Sequence, residues 1–169
     1  YKALELSLEA EIYGIEKCLE IIAPKEYVCH YNDLVLPSET PLKVSEDTST
    51  LLSAEHLQTY MKPYTERLLK HFGGGYIHYC GNNQHLLDLM TEFERSIGLN
   101  FGNPERHNPT LVLECLAKVG KSYYGSFPEI SAVEQAKLSR RADGWYNSFV
   151  VAKASIKDQK SVLEEFYEA

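Results

Sequence analysis

The reading of this chain turns on Gly73-Gly74-Gly75-Tyr76-Ile77-His78-Tyr79-Cys80-Gly81-Asn82. Before it, Leu57, Tyr60, Met61, Tyr64, Leu68 and Phe72 recur at helical spacing, with Ser53 as the capping residue. Three successive glycines stop that helix, because glycine alone adopts the left-handed backbone at little cost. Tyr76 to Cys80 then reads as a strand. Leu86, Leu87, Met90, Phe93 and Ile97 mark the face of a following helix. The block is thus helix, glycine turn, strand, helix.

The same rhythm extends both ways. Leu42 to Glu46 reads as a strand before the block, and Leu99 to Phe101 as one after it. Asn108 and Pro109 suit the cap and first turn of a helix carrying Leu113, Leu116 and Val119. Ser122 to Tyr124 is a strand, Ser131 and Glu134 have capping-box spacing, and Tyr146 to Ala152 is a last strand. Ser155 caps a closing helix through Leu163 and Phe166. Residues 1–41 form a separate lead. Leu4, Leu8, Ile12, Ile15, Leu19 and Ile22 make an amphipathic helix ended by Pro24, Tyr27 to Tyr31 suit a short strand, and Asn32 to Pro41 reads as a loop. Strands alternating with helices imply parallel pairing with helical crossovers, so the class is α/β.

Composition narrows the function. The chain has 169 residues, 44% hydrophobic and 24% charged, with a net charge of -7. An acidic protein lacks the basic face that releases counterions from a nucleic-acid backbone. No apolar run approaches the roughly 20 residues that span a bilayer, and the acidic first helix does not read as a signal peptide. Four irregularly spaced cysteines, at 18, 29, 80 and 115, read as free thiols of a reducing, cytoplasmic setting. No Gly-x-Gly-x-x-Gly follows a strand, so nothing supports a dinucleotide site.

His78 and Cys80 stand two apart on one predicted strand, so both side chains face the same way. Imidazole and thiolate are preferred zinc ligands. Asn100 and Asn103 flank the end of the next strand and Arg106 follows, suited to a bidentate contact with a substrate carboxylate. Tyr123 and Tyr124 end a further strand, and Tyr124 is the candidate facing substrate. Of the adjacent pair Glu46 and Asp47, only one can face inward.

Three stretches taken together, Ser45-Glu46-Asp47-Thr48-Ser49-Thr50-Leu51-Leu52-Ser53, the glycine–strand block, and Leu99-Asn100-Phe101-Gly102-Asn103-Pro104-Glu105, resemble the later half of the uroporphyrinogen decarboxylase and corrinoid-dependent methyltransferase superfamily. The resemblance covers about residues 40 to 125 well and the flanks only loosely. It implies that residues 42–169 are about five C-terminal βα units of a (β/α)8 TIM barrel, with outer helices and the site at the C-terminal face. Asp47 matches the family's acidic strand end, and His78 and Cys80 its His-x-Cys-Gly element.

In the methyltransferase branch that pair and a distant cysteine hold zinc, which activates a thiol for methylation. The methyl donor is a corrinoid protein or a methylated small molecule. The distant cysteine has no counterpart between Tyr146 and Ala154. Cys29 with His30, or Glu105 as an oxygen ligand, are substitutes to consider, while Cys115 sits in a helix pattern as a packed thiol. Two alternatives stand beside methyl transfer. One is a metal-free decarboxylase of a tetrapyrrole or other polycarboxylate, with Asp47 holding pyrrole N–H groups. The other is a non-catalytic fragment or subunit, whose missing N-terminal barrel half, or a second copy, completes the sheet.

Overall fold

The computed structural model describes residues 1–30 and 35–139, the backbone of 148–149, and residue 164. Helix α1 spans Lys2–Ile22 and stops at Ala23, whose backbone is left-handed (φ 44°) and whose N–H returns to the Leu19 carbonyl. Leu8 is its buried residue, and Ile12 and Ile15 pack beside it on the main core.

A hairpin follows, β1 (Tyr27–Cys29) pairing antiparallel with β2 (Val35–Pro37). The sequence reading placed residues 35–37 in a loop. Three residues carry too short an alternation to show a strand period, and Pro37 disguises the end of this one. Position 31, read as the end of the first strand, lies outside the described residues.

The main sheet takes its strands in chain order. They are β3 (Leu42–Ser45), β4 (Gly75–Tyr79), β5 (Ser96–Phe101), β6 (Ser122–Tyr124) and β7 (Ser148–Phe149), and every neighbouring pair is parallel. Strand β7 lies within the predicted 146–152. The rest of that strand and the predicted closing helix lie outside the described residues, apart from helical Glu164.

Between β3 and β4 the chain runs through a 3-10 turn (Asp47–Leu51), α2 (Ala54–His56), a wider π turn (Leu57–Met61) and α3 (Lys62–His71). Ser53 caps α2 by accepting the His56 N–H. Pro63 has no N–H to give the preceding turn, which accounts for the wider winding just before it. Helices α4 (Leu87–Thr91), α5 (Pro109–Lys118) and α6 (Ala132–Leu138) make the later crossovers. Ile97, read as part of a helix stripe, belongs to β5 instead. Helix α4 ends at Thr91, and Arg95 (φ 61°) turns the chain into the strand.

One apolar cluster joins Leu8, Leu57, Leu68, Leu69, Met90, Phe93, Leu113 and Leu116 to Ile77, Tyr79, Leu99, Phe101 and Tyr123 of the strands. Fully burying such a side chain stabilises by about 1.5–3 kcal/mol. Tyr64, on the same stripe, is only half-buried. The opposite side of the sheet carries a smaller cluster, in which Leu36 of the hairpin packs with Tyr76 and Tyr124, and Ile97 lies against them. Among the described residues, no helix is long and apolar enough to cross a membrane.

Candidate metal centre

Parallel strands bring their C-terminal ends to one edge of the sheet. Register aligns Ser45 with His78 and His78 with Asn100. Asp47 opens the 3-10 turn just beyond β3, and Cys80 follows the last residue of β4. His78 Nε2 lies 3.3 Å from Cys80 Sγ and 3.5 Å from Asp47 Oδ1. One donor atom from each of the three residues falls within 4.8 Å of the others. His78 and Cys80 are half-buried, and Asp47 is exposed toward solvent.

The hydrogen bonds fix which histidine nitrogen is available. The Tyr124 carbonyl can only accept, so the Asn100 amide nitrogen must donate to it. That turns Asn100 Oδ1 toward His78 Nδ1, which therefore carries the proton. His78 Nε2 is the nitrogen that faces Cys80 and Asp47, and in the neutral imidazole it is the one that carries the lone pair. An outer partner holding one imidazole nitrogen so that the other can ligate is the usual second layer of a metal site.

Cys80 is tuned by its surroundings. Burial pushes its thiol up, and the hydrogen-bonded Asp47 carboxylate pushes it further. Both effects favour the protonated thiol over the thiolate. Glu46 goes to the other side of β3, where the Thr65 hydroxyl donates to its carboxylate. Burial raises the Glu46 carboxyl, and the Thr65 bond opposes that rise. Glu46 borders a cavity of about 210 Å³ between α1, β3 and α3, on the helical side and apart from the His78 cluster.

The backbone at Gly102 comes so close to the donors that any side chain there would crowd them. A Cβ on Gly102 would stand 2.7 Å from Cys80 Sγ and 3.3 Å from His78 Nε2. Nitrogen, sulfur and carboxylate donors this close together are of types that a borderline-soft divalent cation such as zinc takes. Comparisons with family models, curated proteins and solved structures find no match for this chain.

The other predicted residues lie in a second ring. Asn103 Oδ1 accepts the Gly81 N–H, and its amide nitrogen donates to Glu105. Glu105 and exposed Arg106 are 3.8 Å apart. Tyr124 packs its ring edge-on to Tyr76, and its carbonyl accepts from Asn100. His30 is bonded to the Pro41 carbonyl, Cys29 is exposed, and Cys115 packs on the main core. Among the described residues, Asp47, His78 and Cys80 are thus the grouping with metal-ligand geometry.

Sequence reasoning missed Ser49, Asn83 and His107, all three buried and joined by hydrogen bonds around the Cys80 turn. They come from three separate loops and share no period. The polar run Gly81-Asn82-Asn83 directly after Cys80 is their one local sign.

Proposed function

We propose that this chain is the site-bearing arc of a (β/α)8 barrel enzyme that methylates a thiol activated by zinc at Asp47, His78 and Cys80, as in the corrinoid-dependent methyltransferases it resembles. The observation that carries the reading is the convergence of imidazole, thiol and carboxylate donors at the C-terminal strand ends. Asp47 takes the place of the distant cysteine.

Two features of the fold support a barrel. Strand order follows chain order without reversal, and every described helix except the short α2 contributes to or packs on one apolar side. A doubly wound sheet reverses its order and carries helices on both faces. The outer edge of β3 is where further βα units or a second copy would pair. The free thiols Cys18, Cys29, Cys80 and Cys115 fit a cytoplasmic protein.

Zinc held there supplies Lewis acidity that lowers the pKa of a bound thiol. The chain's own residues prepare that role. Asn100 orients His78 so that the neutral imidazole would offer Nε2, Cys80 would ligate as the thiolate, and Asp47 would add negative charge toward the cation. In the reaction the substrate sulfur gains the methyl group and loses its proton. The donor, a corrinoid partner protein or a small methylated molecule, keeps the electron pair of the broken bond.

The test is metal analysis after reconstitution under reducing conditions. One zinc per chain is expected, with stoichiometric binding lost in Cys80→Ser while the circular dichroism spectrum is kept. A wild-type chain that takes up no zinc overturns the reading. That result would favour metal-free decarboxylation of a polycarboxylate, for which the solvent-facing Asp47 carboxylate beside a protonated thiol is the supporting observation.

A further inference from the structure

Three loops meet behind the metal ligands, and one residue bonds to all of them. Asn83 is wholly buried. Its amide nitrogen donates to the Cys80 carbonyl at 2.7 Å. Its amide oxygen accepts the Ser49 hydroxyl at 2.9 Å, and Ser49 lies in the same 3-10 turn as Asp47. Its backbone N–H donates to His107 Nε2 at 3.1 Å, in the loop after β5.

None of these roles can be reversed. The Cys80 carbonyl only accepts, so the amide nitrogen must face it and the oxygen must face Ser49. His107 accepts at Nε2, so its proton sits on Nδ1, which donates to the Asn103 carbonyl at 3.0 Å. The His107 ring is stacked on Phe101 at 3.8 Å. Thr50 adds a second tie to the same turn by donating to the Asn82 carbonyl.

We infer that Asn83 is a positioning residue for the metal centre, holding the Cys80 turn and the Asp47 turn at the separation that lets both reach one ion. This rests on the metal-centre reading above. Strand pairing fixes His78, but Cys80 and Asp47 lie just past their strands, where the ladder no longer restrains them. A buried amide with every group satisfied supplies the missing restraint, because any displacement of either turn leaves a polar group unpaired in the interior.

Cobalt(II) is the probe, titrated into the reduced chain and followed by its visible absorption. Asn83→Ala is expected to weaken binding about 10–100-fold, the range found for outer-layer partners of metal ligands. Ser49→Ala, which removes one hydroxyl and threatens the fold least, is expected to weaken it several-fold. The sulfur-to-cobalt absorption band should persist in both, since His78 and Cys80 still bind.

A residue acting through Asp47 should also show coupling. Combining Asn83→Ala or Ser49→Ala with Asp47→Ala should then cost less than the sum of the single losses. If Asn83→Ala does not fold, Ser49→Ala and its double variant decide. Folded variants that bind cobalt as tightly as wild type, or strictly additive losses, overturn the inference while leaving the metal centre standing. A wild-type chain that binds no cobalt removes the metal centre, and this inference with it.

Discussion

The two sides of the parallel sheet are cut from the same strands, and they do different work. Ile77, Tyr79, Leu99, Phe101 and Tyr123 point to the helical side and are each at most 4% exposed. Tyr76, His78 and Asn100 alternate with them and point the other way, where a hairpin residue, Leu36, covers part of the surface and the rest holds polar chemistry. Cohesion is thus concentrated on one side and the clustered polar donors at the strand ends of the other. A site built this way can change its donors without disturbing the packing that holds the strands in register.

The division is sharpest for Leu99, wholly buried on the helical side beside Asn100 on the other. Leu99→Ala should lower unfolding free energy by about 2–5 kcal/mol, from lost burial and the cavity left behind. Zinc affinity of the folded protein should stay within about twofold of wild type, since the Leu99 side chain faces away from the donors and the backbone pairing that aligns Asn100 with His78 is kept. Denaturant unfolding with and without zinc reads both. A Leu99→Ala protein that loses its metal as readily as Cys80→Ser would show that the two sides are coupled, and the comparison would fail.

Gly102 tests the other side. Its φ is outside the left-handed range, so alanine is tolerated by the backbone. The added Cβ would meet Cys80 Sγ and the His78 ring. Gly102→Ala should therefore weaken zinc about tenfold or more, corresponding to the roughly 1–3 kcal/mol of an overpacked contact, and change stability of the metal-free chain by less than that. Equal zinc affinity in a folded Gly102→Ala protein would mean that the donors yield freely and that the close approach of Gly102 does not constrain the site.

How much of this was legible follows the same division. The helical side carries a period, so Leu57, Leu68, Leu86, Met90 and Phe93 could be assigned to the core from spacing alone, and all five are buried. The strand end at His78 and Cys80 was legible from the glycines that bracket it, whereas Asp47 was singled out over Glu46 only by the family resemblance. Register, however, comes from pairing between distant segments. Nothing in the sequence says that Asn100 lies beside His78 and would bond to it rather than face outward. The Ser49–Asn83–His107 network is harder still, because its members sit in three loops and each is unremarkable alone. The hairpin strand Val35–Pro37 escaped because three residues cannot establish an alternation.

The smallest expected effects are on the pH dependence of stability, where the two sides should pull in opposite directions. Glu46, on the helical side, has its carboxyl raised mainly by burial. Its native state binds a proton more readily than its unfolded state, so its contribution favours folding at acid pH and is lost as pH rises through the folded pKa. His107, in the loop after β5, has its imidazole lowered, again mainly by burial, with the Asn103 carbonyl and then the Glu105 carboxylate opposing. Its native state resists protonation, so its contribution is complete above the unfolded value near 6.5 and is lost as pH falls below it. Protonation at Nε2 would also cost Asn83 the acceptor for its N–H. The two contributions have opposite signs as pH falls from 7 to 5. Denaturant unfolding of the metal-free protein across that range separates them. Glu46→Gln, which still accepts from the Thr65 hydroxyl, should make the loss of stability on acidification steeper. His107→Gln should make it shallower. If both variants keep the wild-type slope, neither group changes its protonation between the folded and unfolded chain, and burial on the two sides does not differ in the way their chemistry implies.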